Sequence, residues 1–307
     1  MKTCLAVLAV FGLAACQTPP PAVPAPPPLP PAPPVVVVPP PPPVPTRPPR
    51  IGLALGGGAA RGFAHIGVIQ VLDEAGIQPV LVAGTSAGSL VGALWASGLD
   101  GQQLAALAAS MAESTLADWG FPGRGLLRGD ALARYVRDQT GGRVIEQLPR
   151  KLGIVATDLD SGDAILFQRG DIGLAVRASS AVPAVFLPVR IGQREYVDGG
   201  LVAPVPVSHA RQMGAEFVIA VDISESPAGQ PTGDPFRLLL QTFAIMGRSI
   251  NRFELREAEF VIRPVLNGLS GTDFSQRQRA IAAGRAAATA ALPALRSQLS
   301  DSARPVP

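Results

Sequence analysis

The stretch Val80-Leu81-Val82-Ala83-Gly84-Thr85-Ser86-Ala87-Gly88-Ser89-Leu90-Val91-Gly92-Ala93-Leu94 decides how this chain is read. Four apolar residues, a Gly-x-Ser-x-Gly pentapeptide and a second apolar run predict a buried strand that turns sharply into a buried helix. Gly84 and Gly88 permit close backbone packing at that turn. The Ser86 hydroxyl is then presented at a helix N-terminus, where partial positive charge favours an alkoxide. All of 77–99 is uncharged, and by length alone it could cross a bilayer. Pro79 and the Gly, Ser and Thr residues of 84–89 argue for strand, turn and helix instead.

Upstream, Gly56-Gly57-Gly58-Ala59-Ala60-Arg61-Gly62 follows an apolar strand at 51–55 and opens a helix at about 62–75, which Gly76 ends. The spacing is wrong for the dinucleotide fingerprint Gly-x-Gly-x-x-Gly, because Arg61 stands where the third glycine belongs. Unpaired amides at a helix start bind an anion. Here that anion would be the tetrahedral intermediate formed at Ser86. Gly56, Gly57, Gly58, Ala59, Arg61 and Gly62 are the candidate oxyanion residues.

Downstream, Tyr196-Val197-Asp198-Gly199-Gly200 places a carboxylate before two glycines. Taken alone it reads equally well as a turn. Beside the other two segments, Asp198 reads as the base for Ser86, with Gly199 and Gly200 as its supporting loop. An ordinary aspartate, with a pKa near 3.9, is a weak base. A dry pocket would raise its basicity.

The chain has two histidines. His65 falls on the first predicted helix and reads as a packed residue. His209 follows Asp198 and would complete a Ser, Asp, His order, but it lies in a helical pattern directly after a proline-rich turn. Asp158 and Asp160 lack the partner spacing of a metal site and mark a strand-end turn. No metal and no organic cofactor is expected.

Further strands are expected at 152–158, 164–167, 194–197, 217–222 and 260–263. Helices are expected at 104–111, 130–138, 171–179, 207–213, 236–257 and 276–299. Such alternation implies an α/β class, with helices on both faces of a mostly parallel sheet.

Over most of 51–292 the chain resembles bacterial patatin-like phospholipases. The resemblance rests on the run from Leu55 through Gly-Gly-Gly-Ala-Ala-Arg-Gly-Phe-Ala-His-Ile to Gly67, on the Ser86 pentapeptide, and on Ala156-Thr157-Asp158-Leu159. Ala178-Ser179-Ser180-Ala181-Val182-Pro183, the Asp198 segment, and Asp273-Phe274-Ser275 with Ala283-Gly284 extend it. It implies a three-layer α/β/α sandwich and a Ser86–Asp198 dyad with the 56–62 loop as oxyanion hole. It also implies hydrolysis of phospholipid or lysophospholipid acyl esters through an acyl-enzyme. Many members carry a fourth glycine where this chain has Ala59, and an alanine at positive φ is strained. Which loop amides form the hole stays open. The same chemistry would serve a general esterase, a thioesterase or an acyltransferase. An idle lipid-binding lipoprotein is the reading from another class, and it would be expected to lose Ser86 or Asp198.

The N-terminus is a separate matter. Residues 1–15 have a positive start and a short apolar core, the pattern of a secretory signal. Leu13-Ala14-Ala15-Cys16 resembles a bacterial lipobox, which implies an acylated Cys16 as membrane anchor. Gln17 after it implies the outer membrane of a Gram-negative envelope, periplasmic face. Residues 17–50 hold 19 of the 33 prolines. They read as a polyproline II spacer reaching on the order of 100 Å. The expected domain is 51–299, with a tail at 300–307. A formal charge of +3, with no basic run interleaved with aromatics, gives no support for nucleic-acid binding. Trp119-Gly120-Phe121 reads as lid-region packing or a membrane contact. Oligomeric state is not legible.

Overall fold

A computed structural model describes residues 46–111, 118, 125–228, 232–271 and 273–305. The Cys16 lipobox, the proline-rich spacer and Trp119-Gly120-Phe121 lie outside the described residues.

The central sheet has eight strands. Five are parallel: β2 (Ile51–Leu55), β3 (Leu81–Thr85), β5 (Lys151–Asp158), β10 (Phe217–Val221) and β11 (Phe260–Ile262), in the order β11-β10-β2-β3-β5. Short antiparallel strands complete the β5 end: β6 (Ala164–Phe167), β8 (Val189–Ile191) and β9 (Arg194–Asp198). Apart from the sheet, β1 (Thr46–Arg47) pairs with β12 (Arg304–Pro305), and β4 (Gly125–Leu127) pairs with β7 (Ala184–Phe186). The folded unit therefore takes in chain on both sides of 51–299. Arg47 donates to both carboxylate oxygens of Glu216, at 2.8 and 2.9 Å, and ties the start of the chain to the foot of β10.

Period-two alternation sorts the strand side chains between two faces. Leu53, Leu55, Val82, Phe217, Ile219 and Val221 point into the larger core. That core also takes residues of α1 (Phe63–Glu74), α2 (Ala87–Ala96), α3 (Gly101–Ser110) and α8 (Arg277–Asp301), and of α4 (Asp130–Gln139) and α5 (Ile172–Ser179). Ala54, Leu81, Ala83, Val218 and Ala220 point to the other face, against α6 (Val207–Gln212) and the end of α7 (Pro235–Glu254). Helices on both faces of a mostly parallel sheet give the three-layer α/β/α sandwich.

Helices α1 and α8 cross backbone to backbone. A Cβ on Gly67 would lie 2.0 Å from the Ile281 carbonyl oxygen, and one on Gly284 would lie 2.0 Å from that of Ala64. Helix α3 starts at Gly101, earlier than the sequence suggested. Asp100 accepts from the Gln103 N–H while the Gln103 side chain accepts from the Asp100 N–H, a capping box that sets the start.

Candidate active site

The register of β5 assembles the site. Along one edge β5 is paired by two strands in succession. Parallel β3 runs beside its first half and ends with Thr85 opposite Val155. Antiparallel β9 runs beside its second half and ends with Asp198 opposite Ala156. β6 occupies the other edge, where Val155 and Ala156 meet Leu166 and Ile165. Two chain segments far apart in sequence thus arrive head to head at neighbouring rungs and turn away there. Ser86 is the first residue past one end, and Asp198 is the last of the other.

Ser86 sits on the sharp turn that the sequence predicted, at φ 53 and ψ −122. A non-glycine residue there is strained by about 1–3 kcal/mol. Gly84 and Gly88 make the turn feasible: a Cβ on Gly88 would lie 2.0 Å from the Leu55 carbonyl oxygen, and one on Gly84 would lie 2.5 Å from that of Gly88. The Ser86 N–H donates to Ser179 Oγ at 2.8 Å, and that hydroxyl donates onward to the Val155 carbonyl at 2.5 Å. Although it occupies the N-cap of α2, the Ser86 hydroxyl accepts from no α2 amide. It remains free for chemistry.

Asp198 is buried, 6% exposed. Its Oδ1 accepts from the Gly200 N–H at 2.7 Å. Its Oδ2 has no hydrogen-bond partner among the described residues. The Ser86 side chain acts on the carboxylate in favour of its charged form without reaching hydrogen-bond geometry. Burial dominates, opposed by Gly200 and Ser86, and pushes the Asp198 pKa up to about 6. The backbone around it is fixed: Thr157 Oγ1 donates to the Asp198 carbonyl at 2.8 Å, and the Asp198 N–H donates to the Ala181 carbonyl at 3.0 Å. Gly199 admits the tight exit, since a Cβ there would lie 2.2 Å from the Val155 carbonyl oxygen.

The glycine loop passes over Ser86; a Cβ on Gly57 would lie 3.2 Å from that of Ser86. Its amides divide into two groups, and the division narrows the sequence-based set. The Gly56 N–H donates to the Val221 carbonyl (3.1 Å), Gly57 to Pro204 (2.9 Å) and Arg61 to Gly58 (3.1 Å). These three cannot also hold an oxyanion. Gly62 lies in the short 3-10 turn Ala59–Gly62 that leads into α1. The Gly58 and Ala59 N–H groups have no acceptor among the described residues. Ala59 adopts φ 47, the strained conformation anticipated for an alanine in place of the fourth glycine. The Arg61 side chain has a structural task. Its buried guanidinium donates to the Ile223 carbonyl (3.0 Å) and pairs with Glu225 (2.7 Å), anchoring the loop to the segment after β10.

His65 is fully buried and donates from Nε2 to the Gly56 carbonyl at 2.8 Å. Burial lowers its pKa to about 4, so it is a neutral strut under the loop. His209 lies on α6, with Nδ1 3.3 Å from Ser208 Oγ, and burial holds it below the ordinary histidine range despite Glu254. No hydrogen bond among the described residues joins it to Ser86 or Asp198. Asp158 closes the strand-end turn, accepting from the Asp160 and Ser161 N–H groups (3.0 and 3.2 Å) and from Arg194 (2.7 Å). The arginine holds its carboxyl below the usual range. Trp95 is core, with the Arg150 guanidinium 4.3 Å from its ring centroid.

A small apolar cleft of about 50 Å³ lies beside Ala87, the neighbour of Ser86, and is lined also by Ala59, Gly62, Phe63, Leu90, Leu94 and Met111. Sequence analysis missed this cleft and gave Ser179 no role. The Ser-Ser pair at 179–180 was the one available signal for the latter.

A family profile described as Patatin-like phospholipase matches residues 53–211. An uncharacterized NTE family protein of Mycobacterium tuberculosis is 43% identical over 185 residues, covering 59% of this chain and 51% of that protein. A second such protein of M. tuberculosis is 35% identical over 271 residues, 80% of this chain and 46% of that one. The chain thus spans about half the length of these relatives. Patatin-like phospholipase domain-containing protein 6 of Mus musculus is 34% identical over 182 residues, 56% of this chain and 13% of that protein. VipD from Legionella pneumophila has the same fold, with a TM-score of 0.58 at 17% identity over 81% of this chain and 68% of that one. The chain belongs to the patatin-like phospholipase family.

Proposed function

We propose that this protein is a lipid acyl hydrolase that works through a Ser86–Asp198 dyad. The observation that carries the reading is the meeting of Ser86 and Asp198 at adjacent rungs of β5, with a carboxylate whose pKa of about 6 makes it a competent base at neutral pH. Asp198 Oδ2, without a partner in the resting site, takes the hydroxyl proton as Ser86 Oγ attacks the ester carbonyl. The Gly58 and Ala59 N–H groups hold the oxyanion, where losing such a donor costs about 3–4 kcal/mol of barrier. Collapse expels the lysolipid alcohol, which regains the proton from Asp198 and leaves an acyl-Ser86. Water, deprotonated by Asp198, then releases the fatty acid and restores the serine. The apolar lining beside Ala87 matches the chemistry of a fatty-acyl chain. Membership of the family supports lipid as the substrate class, and we place phospholipids and lysophospholipids first. In the cell, an acylated Cys16 and the 17–50 spacer would hold the domain at the envelope, on the periplasmic face of the outer membrane.

The test is fatty-acid release from mixed glycerophospholipid vesicles by the full chain. Release that disappears in both Ser86→Ala and Asp198→Asn and persists in His209→Ala supports the dyad. Release that survives Asp198→Asn and disappears in His209→Ala overturns it in favour of a histidine triad.

A further inference from the structure

Helix α7 carries apolar residues on two sides: Leu239, Leu240, Phe243 and Ile250 are half-buried against the domain, and a second apolar stripe is turned outward. Leu238, Ile245, Met246 and Phe253 are 55%, 51%, 45% and 69% exposed. Their spacing puts them on one stripe of the helix. The helix is held by its opposite side, and by polar contacts. The Val205 N–H donates to Asn251 Oδ1 at 3.2 Å, Asn251 Nδ2 donates to Ser224 Oγ at 2.9 Å, and Ser208 Oγ donates to Glu254 at 3.0 Å. Gln241 Nε2 donates to the Pro227 carbonyl at 2.6 Å.

The charge on this helix is one-sided. No acidic residue occurs between Asp234 and Glu254, and Glu254 is turned inward. Arg248 and Arg252 are exposed along one margin of the stripe and have no acidic partner among the described residues. The Arg256 guanidinium lies 5.8 Å from the centroid of the exposed Phe253 ring. These three arginines, with Arg263 and Ser224, line an open cleft of about 420 Å³. The acids at its wall are already matched: Asp222 pairs with Arg263 at 3.4 Å and Glu225 with Arg61 at 2.7 Å. The cleft lies past the C-terminal ends of β10 and β11, and parallel β3 delivers Ser86 at that same edge of the sheet. Residues 199–205, which leave Asp198, run beneath α7, where Gly247 rests on Pro204.

We propose that the outward face of α7 docks the domain on an anionic lipid bilayer. The apolar stripe enters the acyl boundary, and Arg248, Arg252 and Arg256 reach headgroup phosphates. Charge complementarity selects this occupant: a lipid surface offers apolar depth and dense negative charge together. Docking there would present the sheet edge that carries Ser86 to the bilayer. The inference goes beyond the hydrolase reading and does not depend on it.

Flotation with vesicles tests it without turnover. The full chain carries Ser86→Ala, to prevent hydrolysis, and Cys16→Ser, to prevent acylation. It is mixed with phosphatidylcholine vesicles in which phosphatidylglycerol is absent or makes up about a third of the lipid. Binding should favour the anionic vesicles and weaken with salt. Arg248→Gln, Arg252→Gln and Arg256→Gln together should lower that affinity by about a hundredfold. Ile245→Ser with Phe253→Ser should weaken binding to both vesicle types by tenfold or more on the order of their buried area. The arginine and apolar variants should melt with the Ser86→Ala, Cys16→Ser parent, because Arg248, Arg252, Arg256, Ile245 and Phe253 are all exposed. Indifference to phosphatidylglycerol, or equal binding by parent and variants, overturns the proposal. So does a dimer that both sets of substitutions dissociate, which would make this face a contact between copies.

Discussion

The two faces of the sheet are built differently. On the larger, α1 and α8 touch through Gly67 and Gly284 with no side chain between them, and aliphatic residues fill the space down to Leu53 and Ile219. On the smaller, Ala54, Ala83 and Ala220 make a shallow floor for α6, while α7 is tied by hydrogen bonds and leaves Leu238, Ile245, Met246 and Phe253 outside. The first face leaves no room for a side chain at its helix crossing. The second keeps a surface in reserve. The difference teaches that the two faces are held by different means, and Ser86 and Asp198 stand on the sheet edge where the two faces end.

Substitutions can break or sharpen that division. The largest effect should come from the edge. Ser86→Ala should lower acyl-ester hydrolysis about 10⁴-fold or more, while its melting temperature stays at or above that of the parent. A destabilised Ser86→Ala would mean that the turn, and not only its hydroxyl, was lost. Next comes the packed face: Gly284→Val should destabilise by roughly 3 kcal/mol or more in urea unfolding, because its Cβ would collide with the Ala64 carbonyl. Tolerance of valine there would show that the crossing is looser than drawn.

Asp198→Asn couples chemistry to stability, and the sign is fixed by burial. The folded pKa of about 6 lies above the ordinary aspartate value, so Asp198 favours the fold in its protonated form. That contribution is present in full below about pH 4 and is lost as pH rises through 6. At pH 8 the variant should therefore be more stable than the parent, by on the order of 2 kcal/mol, and the gap should close on acidification. Denaturant titrations at the two pH values would show it; a less stable variant at pH 8 would contradict the burial argument. A smaller gain, about 0.5–1 kcal/mol, is expected from Ala59→Gly, which relieves φ 47. The smallest effect belongs to the open face. Phe253→Ser should change stability by no more than about 0.5 kcal/mol.

Much of this was legible in sequence because local rules decide it. Gly84-x-Ser86-x-Gly88 between two apolar runs pointed to a tight strand-to-helix turn, and the alternation of strands and helices announced the layered fold. The pairing of Ser86 with Asp198 was reachable by resemblance, but its cause was not. It depends on β9 and β3 sharing one edge of β5, a register that no local pattern encodes. The loop amides were undivided in sequence for a similar reason. The acceptors of the Gly56 and Gly57 amides are carbonyls of Val221 and Pro204, more than a hundred residues away in the chain. The anchoring of the loop by the Arg61 side chain was not legible either, since its partners Ile223 and Glu225 lie beyond β10. The 236–257 segment was readable as a helix. Which side of it faced out was not, since an apolar stripe is ordinarily the buried one.

The pairing of Ser86 with Asp198 is tested most directly by the pH dependence of Ser86 acylation with an activated ester. If Asp198 is the base, the acylation rate should rise with pH through a midpoint near 6, and His209→Ala should leave both the midpoint and the plateau unchanged. A pH profile that collapses in His209→Ala, or a full acylation rate in Asp198→Asn, would contradict the dyad.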